Sequence, residues 1–358
     1  IAMSYYSVKW GYTAETVFSS LISAGDRGVK VKVILDGLDG FPKGVSRDVL
    51  DIFTHHPNLE IKYYQPLNLL KPWTINSRLH DKYIIVDNRL LLMGGRNIAD
   101  KYYDPKSYSG DITYDRDVLI YNNNLSSNSV IREAEEYFNN IWFSEYAKIL
   151  KTSLNEKEII NANSLKMELL DKLKIYREEY NMQGYNLDYK SITVPTYKVS
   201  FISNPIKPGR KEPTCGYFVD MVLANAKDSV IIQTPYTVLN KQMSKRLEFI
   251  GKNVPNVDFL TNSLASTPNI TAFSIYLKQR DVLLDYGFII HEYQSNNSIH
   301  GKSYLCDDDM ALIGSLNLDI RSNFINTETM LIIHSPEFNK ILKDEIAKYF
   351  EKSFINLI

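Results

Sequence analysis

The sequence has little of what marks several classes of protein. It contains two cysteines among 358 residues, too few for a disulfide framework and without the spacing of a metal site. No apolar run approaches the roughly 18 residues of a membrane span, and no signal peptide is visible. The net charge of −1 gives no general attraction to nucleic acid. The 44% of apolar residues still allow a sizeable core, so a globular fold is expected.

The motifs of the commonest enzyme classes are also absent. The chain has no P-loop, no G-x-G-x-x-G, no H-E-x-x-H and no G-x-S-x-G. These absences argue against kinases, dehydrogenases, zinc proteases and serine hydrolases. We therefore predict no cofactor and no bound metal.

What the sequence does contain is an internal repeat. The matching positions are His80 and His300, Lys82 and Lys302, Asp87 and Asp307, Gly94 and Gly314, Gly95 and Ser315, and Asn97 and Asn317. Every pair is separated by 220 residues, as in 300 − 80. A template kept twice without a gap indicates a duplication.

Predicted strands alternate with predicted helices around each copy of the motif. In the first half we predict strands at Ala2–Tyr6, Val29–Leu35, Leu90–Met93 and Asp117–Tyr121, and helices at Ala14–Ala24 and Ser129–Phe143. In the second half we predict helices at Tyr217–Lys227, Lys241–Gly251, Thr271–Asp285 and from Pro336, and strands at Ser229–Thr234, Val257–Thr261, Phe288–Tyr293, Met310–Ile313 and Glu328–His334. This alternation predicts an α/β fold with two repeats, each a mixed sheet flanked by helices.

The same pattern suggests a domain organisation. We predict a first repeat at residues 1–147, a helical linker at 148–200 and a second repeat at 201–358. The first half opens directly on a strand, whereas the second half has a helix before it. We therefore expect that the natural protein extends upstream of Ile1 or that the first repeat is truncated.

Each copy of the motif begins with His-x-Lys on a predicted strand. Successive side chains of a strand point to opposite faces, so His80 and Lys82 point the same way, as do His300 and Lys302. The aspartates that end the motif lie an odd number of residues from the histidine and follow the strand. They are Asp87 and Asp307, and we expect a structural or indirect role for both.

Two His–Lys pairs brought to one site suit phosphodiester chemistry. One neutral imidazole can attack phosphorus and form a phosphohistidine. The other, protonated, can donate to the leaving alcohol and then take a proton from the incoming water or alcohol. The lysines neutralise charge on the non-bridging oxygens. The constant offset predicts one shared active site, and His80 serves as the working assignment of the nucleophile.

Small residues and an asparagine follow each motif strand. Asn97 and Asn317 can donate amide hydrogen bonds to the phosphate. Gly95 and Ser315 belong to turns where the backbone can approach it closely. We predict that all four bind the substrate phosphate.

Each imidazole also needs a partner on its second nitrogen. The candidates are Asp117 and Glu328, because each opens an apolar strand downstream of its motif. The remaining histidines have no such context and are predicted to be surface or strand residues; they are His55, His56, His291 and His334.

The two motif blocks resemble those of the phospholipase D superfamily. They read LHDKYIIVDNRLLLMGGRN from residue 79 and IHGKSYLCDDDMALIGSLNLDIRS from residue 299. The stretches AGDRGVKVKVILDG, RDVLI, TPYTVL, LTNSLAST and INTETMLII are similar to bacterial cardiolipin synthases, especially of the type C branch. This resemblance implies one metal-independent site, with the downstream acids Asp117 and Glu328 orienting the histidines.

The resemblance further implies phosphatidyl transfer at the bacterial cell membrane, with phosphatidylglycerol or phosphatidylethanolamine as substrate. The protein would be peripheral or anchored through a segment upstream of Ile1. Two alternatives remain open, because hydrolases and nucleases share the motif. A nuclease would be expected to carry a basic stripe with stacking aromatic residues. The net charge of −1 does not favour such a stripe, so no nucleic acid partner is expected. A non-catalytic lipid-binding protein would not need two intact His–Lys pairs.

An apolar stretch precedes the first motif. It contains Pro66, Leu67, Leu69, Leu70, Lys71, Pro72 and Trp73. Ordinary core packing is the favoured interpretation, because most such residues are buried. The alternative is that Trp73 and its neighbours dip into a bilayer interface beside the site.

Overall fold

The computed structural model describes residues 1–70, 72–181 and 187–357, and of Trp73 the backbone alone. The chain forms two compact units. The first consists of Ile1–Leu92, Asn97–Ser109 and Leu119–Thr193, and the second of Met93–Arg96, Gly110–Val118 and Val194–Ile358. Two short segments of the first repeat thus group with the second unit. The boundaries predicted at residues 147 and 200 remain a proposal.

The first half of the chain contains eight strands and four helices among its described residues. In chain order they are β1 (Ala2–Tyr5), α1 (Tyr12–Asp26), β2 (Val31–Asp36), α2 (Val45–His55), β3 (Leu59–Tyr64), β4 (Lys82–Val86), β5 (Leu90–Gly94), β6 (Thr113–Tyr114), β7 (Asp117–Tyr121), α3 (Val130–Trp142), β8 (Ala147–Lys148) and α4 (Glu156–Glu179). Short 3₁₀ helices lie at Pro72–Asn76 and Asp100–Tyr102.

The second half continues the numbering over its described residues. Its elements are β9 (Lys198–Ser203), α5 (Thr214–Leu223), β10 (Ser229–Gln233), β11 (Thr237–Val238), α6 (Lys241–Asn253), β12 (Asn256–Asn262), α7 (Ile270–Asp285), β13 (Ile289–Tyr293), β14 (Ser298–Ile299), β15 (Ser303–Cys306), β16 (Met310–Gly314), β17 (Leu318–Asp319), α8 (Ile320–Phe324), β18 (Thr329–His334), α9 (Pro336–Phe350) and β19 (Ser353–Asn356).

The two large sheets have the same strand order. The first runs β7-β5-β4-β1-β2-β3-β8, and the second, read from its β18 side, runs β18-β16-β15-β10-β12-β13-β19 with β9 added beyond β18. In both, the central strand has a parallel neighbour on one side and an antiparallel neighbour on the other. The predicted fold class, two mixed sheets from a duplication, is confirmed.

Helices cover both faces of the first sheet. Val31, Val33 and Leu35 of β2 enter a core shared with α1 and α2. Lys32, which points to the opposite face, places its ammonium 5.3 Å from the ring centroid of Trp142 at the end of α3. The alternation of valine and lysine in the sequence therefore has a direct structural cause, because one face of the strand is apolar and the other carries the lysines.

The second sheet is covered in the same way. Val230 and Ile232 of β10 belong to a core that includes residues of α5, α6 and α7. Ile231, between them, packs with Leu342 and Ile346 of α9 on the other face. A Ser335 side chain that accepts from Phe338 N, and proline in the first turn, begin α9 where the sequence predicted it.

Two predicted elements differ from the structure. The helix predicted at Tyr217–Lys227 is α5, Thr214–Leu223. Beyond its end, the carboxylate of Asp307 accepts the backbone N–H groups of Lys227, Asp228 and Ser229 where the helix had been predicted to continue. The motif histidines were predicted on strands, but β4 begins at Lys82 and β15 at Ser303, so both histidines lie just before a strand.

The predicted linker contains one long helix. Asn155 and Glu158 form a capping box at the start of α4. Its Leu169 and Leu173 are buried, and the helix packs on α1 and α2 of the first unit. None of the helices among the described residues is both long and apolar enough to cross a membrane.

Candidate active site

The first His–Lys pair lies in the first unit, at the entrance to β4. The ring of His80 meets the ring of Tyr6 edge-on with centroids 4.9 Å apart. The ammonium of Lys82 lies 5.2 Å from the centroid of the same ring. Lys82 Nζ also donates to the backbone carbonyl of His80. Both side chains thus contact Tyr6, the residue that follows β1, and they point the same way.

The second pair lies in the second unit, at the entrance to β15. Lys302 Nζ lies 2.7 Å from Nδ1 and 3.1 Å from Nε2 of His300, and it donates to the carbonyl of His300. Lys302 is buried and the side chain of His300 nearly so. The lysine of each motif therefore makes the same bond to the carbonyl two residues before it.

A carboxylate completes the second pair. Asp115 Oδ2 lies 2.6 Å from His300 Nδ1 and 3.8 Å from Lys302 Nζ. Burial by itself would raise the pKa of Asp115, but the charge of Lys302 and the bond to His300 lower it to about 2. Asp115 is therefore a carboxylate that accepts, and His300 Nδ1 carries the proton it donates. Nε2, the other nitrogen of His300, lies 3.1 Å from Lys302 Nζ.

Asp115 is the residue that the sequence reasoning missed. We predicted Glu328 as the partner of His300. The structure places Asp115 at His300 Nδ1, and Glu328 Oε2 accepts from Ser315 Oγ at 2.5 Å, so the orienting role of Glu328 stays a prediction. Asp117, the other candidate, has its Oδ2 3.8 Å from Arg96 Nε. The signal for Asp115 was its place in Tyr-Asp-Arg-Asp, two residues before the aspartate that was chosen.

The position of Asp115 follows from the pairing of two short strands that are far apart in the sequence. Thr113 and Tyr114 form β6, which pairs in parallel with β14 just before His300. The backbone N–H of His300 donates to the carbonyl of Tyr114 at 2.7 Å. The carboxylate that follows Tyr114 is thereby held beside the imidazole.

The two motif asparagines occupy matching environments, each in its own unit. Asn97 Nδ2 lies 3.2 Å from the hydroxyl of Tyr102, and Asn317 Nδ2 lies 3.3 Å from the hydroxyl of Tyr236. The Oδ1 atom of each asparagine is buried without a hydrogen-bond partner among the described residues. Amide nitrogen and oxygen exchange places on a flip, after which each tyrosine donates to Oδ1 and the NH₂ group is released as a donor. That orientation suits a phosphate ligand.

The small residues beside the asparagines fit closely against neighbouring groups of the second unit. A Cβ on Gly95 would lie 2.4 Å from Asp115 Oδ1, so the glycine makes room for the carboxylate that holds His300. The hydroxyl of Ser315 donates to Glu328 and accepts from Thr329 N at 3.0 Å. These contacts are with the protein, and the binding of phosphate by Gly95 and Ser315 stays a prediction.

The motif aspartates lie in turns. Asp87 and Asp307 both have positive φ, 43° and 50°, between the strands of the hairpins β4–β5 and β15–β16. Aspartate tolerates this left-handed conformation better than most residues. Together with the three N–H groups that Asp307 accepts, this places the motif aspartates where a structural role requires them.

The stretch before the first motif differs from the favoured interpretation. Leu67, Leu69 and Leu70 are 57%, 83% and 88% exposed, so ordinary core packing does not hold for them. Lys71 and the side chain of Trp73 lie outside the described residues.

Both cysteines, Cys215 and Cys306, are free and buried. Among the described residues, no group of three or more His, Cys, Asp or Glu side chains is placed to hold a metal ion.

Comparison with known proteins places the chain in a defined group. The model of a family described as cardiolipin synthase, PLD-like domain, matches residues 1–142 and 220–355. An uncharacterized protein of Helicobacter pylori (strain ATCC 700392 / 26695) is 28% identical over 393 residues, which cover 99% of this chain and 75% of that protein. Cardiolipin synthase C of Escherichia coli (strain K12) is 24% identical over 390 residues, covering 99% of this chain and 78% of that protein.

Solved structures share the fold. The phosphatidylserine synthase of Haemophilus influenzae Rd KW20 matches with a TM-score of 0.67 at 15% identity, covering 100% of this chain and 82% of that one. The polyphosphate kinase of Porphyromonas gingivalis matches with a TM-score of 0.53 at 9% identity, covering 96% of this chain and 44% of that one. Proteins named for different reactions thus have this fold, and the fold by itself does not fix the reaction.

Proposed function

Because the chain belongs to the family of cardiolipin synthases with PLD-like domains, we propose that it is a phosphatidyltransferase that moves a phosphatidyl group between a phospholipid and an alcohol. The reaction runs in two steps through a phosphohistidine and uses both His–Lys pairs at one site. The observation that carries the proposal is the group formed by His300, Asp115 and Lys302, an oriented imidazole beside a buried cation.

In the first step one imidazole attacks phosphorus through Nε2, and the bond from phosphorus to the donor's headgroup alcohol breaks. The second histidine, protonated, gives its proton to the leaving oxygen. His80 is the working nucleophile and His300 the working acid. When His300 acts as the acid, the Asp115 carboxylate stabilises its imidazolium, as a carboxylate beside a catalytic histidine does. Lys82 and Lys302 stabilise charge on the phosphoryl oxygens.

In the second step the now neutral histidine takes a proton from the hydroxyl of the acceptor. The acceptor oxygen attacks phosphorus, the bond from phosphorus to the nucleophilic nitrogen breaks, and both histidines return to their starting states. Asn97 and Asn317 hold the phosphate through their amide donors. No metal takes part in the proposed reaction. Water in place of the alcohol would give hydrolysis by the same steps.

Phosphatidylglycerol and phosphatidylethanolamine are the proposed substrates, reached at the surface of a bacterial membrane. The exposed side chains of Leu67, Leu69 and Leu70 support membrane contact, since contiguous apolar residues in solvent mark interaction surfaces. They belong to the loop that leads through Pro72–Asn76 to His80. Leucines that enter the interface here would bring the loop before the first motif to the lipid.

The proposal is tested by incubating the protein with phosphatidylglycerol vesicles, with and without EDTA, and separating the lipids. We expect cardiolipin in both samples. Phosphatidic acid alone would make the protein a hydrolase, and cleavage of single-stranded DNA without lipid turnover would reject the lipid reaction. Loss of activity with EDTA that added metal restores would reject the metal-independent mechanism.

Histidine variants test the mechanism itself. We expect that His80→Ala and His300→Ala each abolish the reaction, and retained activity in either would contradict the use of both pairs. His334→Ala is the matched control. His334 also pairs with an aspartate, with Nε2 3.2 Å from Asp309 Oδ2, but it lies outside the motif.

A further inference from the structure

In the first unit, a buried carboxylate is hydrogen-bonded to the backbone directly before His80. Asp36, the last residue of β2, is fully buried. Its Oδ2 accepts the backbone N–H of Leu79 at 2.9 Å. Its Oδ1 lies 3.4 Å from Nη1 of Arg78. One side chain at the end of a core strand thus binds both residues that precede the histidine.

In the second unit, a buried amide is hydrogen-bonded to the backbone directly before His300. Asn262, the last residue of β12, is 1% exposed. Its Oδ1 accepts the backbone N–H of Ile299 at 2.9 Å, and its Nδ2 donates to the carbonyl of Ile299 at 2.8 Å. Nδ2 also donates to the carbonyl of Pro235 at 2.8 Å. The peptide units on both sides of Ile299 are therefore fixed.

These two arrangements are equivalent in the fold. The strand β2 is the parallel neighbour of β1 in its sheet, and β12 is the parallel neighbour of β10 in the other. Leu79 and Ile299 are separated by the 220 residues of the repeat (299 − 79). Asp36 and Asn262 lie at the carboxyl ends of their strands and bind the same backbone N–H, although they differ in residue type and stand outside the repeated motif.

We propose that Asp36 and Asn262 are positioning residues that fix the backbone in front of the two motif histidines and so set the orientation of each imidazole. Each histidine lies before its motif strand begins, so the pairing of β4 and β15 does not hold the preceding residue. Leu79 lies outside the named strands, and Ile299 is held besides only by the two-residue strand β14, which pairs it with Tyr114. A buried bond to the neighbouring N–H supplies that restraint. Misplacement of a reacting group by about 1 Å can cost about 10²-fold in rate, so such a restraint is kinetically significant.

The two halves use different chemistry for the same purpose. Asp36 is charged and is matched by Arg78, whose Nη2 donates to the carbonyls of Gln65 and Thr74 at 3.1 Å. Asn262 is neutral and satisfies its contacts without a cation. Asp36 Oδ1 also accepts the backbone N–H groups of Leu38 and Asp39 at 2.9 Å. Asp36→Asn can keep one oxygen towards Leu79 N, but its NH₂ group then faces those donors. Asp36→Asn should therefore keep part of the restraint on His80, whereas Asp36→Ala removes all of it.

The kinetic part of this inference rests on the proposed function, so the first measurement is independent of turnover. Imidazole signals of the six histidines are recorded by ¹H–¹⁵N NMR and assigned to His80 and His300 with His80→Gln and His300→Gln. We expect Asp36→Ala to shift the signals of His80 and not those of His300, and Asn262→Ala to do the reverse. Asp36→Asn should shift the His80 signals less than Asp36→Ala does.

Turnover is then measured with phosphatidylglycerol vesicles. Asp36→Ala and Asn262→Ala should each lower kcat about 10²-fold with little change in KM, and Asp36→Asn should lower kcat less than Asp36→Ala. Asn339→Ala is the matched control, since buried Asn339 donates to the carbonyls of Met310 and Asp307, away from the histidine backbone. It should lower stability to a similar extent without changing kcat.

Several outcomes decide the matter. Unshifted imidazole signals in the alanine variants, with a stability loss like that of Asn339→Ala, would overturn the inference. If the alanine variants do not fold, Asp36→Glu keeps the charge for Arg78 and displaces the acceptor by one methylene; unshifted His80 signals there would overturn it equally. Shifted signals in a protein that turns over no lipid would support positioning and reject the proposed function.

Discussion

The imidazole of His300 and the carboxylate of Asp115 are joined across 185 positions of the chain, with Nδ1 and Oδ2 2.6 Å apart. The bond fixes the tautomer of the histidine, because a carboxylate with a low pKa accepts and does not donate. In the proposed mechanism Nε2 is therefore the reacting nitrogen, and the residue that fixes the tautomer belongs to neither His-x-Lys pair.

Asp115→Asn should lower kcat by about 10²-fold to 10⁴-fold, since an amide can hold the imidazole in the wrong tautomer. Single-turnover rates on labelled phosphatidylglycerol measure the effect. Glu328→Gln is the informative comparison, because Glu328 was the partner predicted from the sequence and instead accepts from Ser315. An effect of Glu328→Gln larger than that of Asp115→Asn would contradict the assignment.

Asp115 should also give the protein a pH-dependent stability. Its pKa is lowered from 3.8 to about 2 in the folded state, so the carboxylate stabilises the fold above the unfolded pKa. That contribution, on the order of 2 kcal/mol, is lost as the pH falls through about 2. Urea unfolding of wild type and Asp115→Asn between pH 2 and 7 should show a difference that is constant above about pH 5 and shrinks towards pH 2. A difference independent of pH would contradict this.

Lys302→Met should raise the pKa of Asp115. The charge of Lys302 is the largest of the causes that lower this pKa against the effect of burial. Without it, the stability contributed by the carboxylate is lost at a higher pH on acidification. A ¹³C NMR titration of the Asp115 carboxyl measures the shift. Lys340→Met, which removes an exposed lysine paired with Asp344, should leave the titration unchanged.

The combined variant Leu69→Asp, Leu70→Asp should weaken binding to phosphatidylglycerol vesicles by at least about tenfold, because two exposed leucines are replaced by charges that anionic lipid repels. Cosedimentation with vesicles measures it. Ile175→Asp is the control, since Ile175 is a 60% exposed apolar residue of α4 in another part of the first unit. Equal effects of the two variants would show that the leucine loop has no special role in membrane contact.

Asn317→Asp should weaken the binding of inorganic phosphate, whereas Asn317→Ala should have a smaller effect. The carboxylate would repel the anion in addition to removing the amide donor. Calorimetric titration with phosphate compares the variants. A variant Asn140→Asp on the surface of α3 serves as control for the added charge. Unchanged phosphate affinity in Asn317→Asp would reject the assignment of this residue as a phosphate ligand.

Most core elements could be predicted from the sequence, because they depend on local patterns. The strand Asp117–Tyr121 is found where it was predicted, and the alternation of Val31 and Val33 with lysine marks β2. The elements α2 and β3 were passed over. In α2 the buried Val49, Leu50, Asp51, Ile52 and Phe53 are consecutive, which hides the helical period.

The partner of His300 could not be predicted, because it depends on pairing between distant segments. Asp115 and Asp117 are the two immediate neighbours of Arg116, and local spacing does not distinguish them. The choice is made by β6, a two-residue strand whose partner β14 lies 185 residues away in register. The contacts of Asp36 and Asn262 could not be predicted for the same reason. Each side chain binds a backbone N–H about forty residues further along the chain, that of Leu79 and that of Ile299.

The segment Gly110–Val118 has a further consequence, for the independence of the two copies. A fragment that begins at Val194 would lack β6 and the carboxylate that orients His300. The second unit is therefore complete only when Gly110–Val118 has joined the residues that follow Val194. The repeat marks a duplication, but the second folded unit draws on both halves of the chain and cannot be excised as a module without residues of the first half.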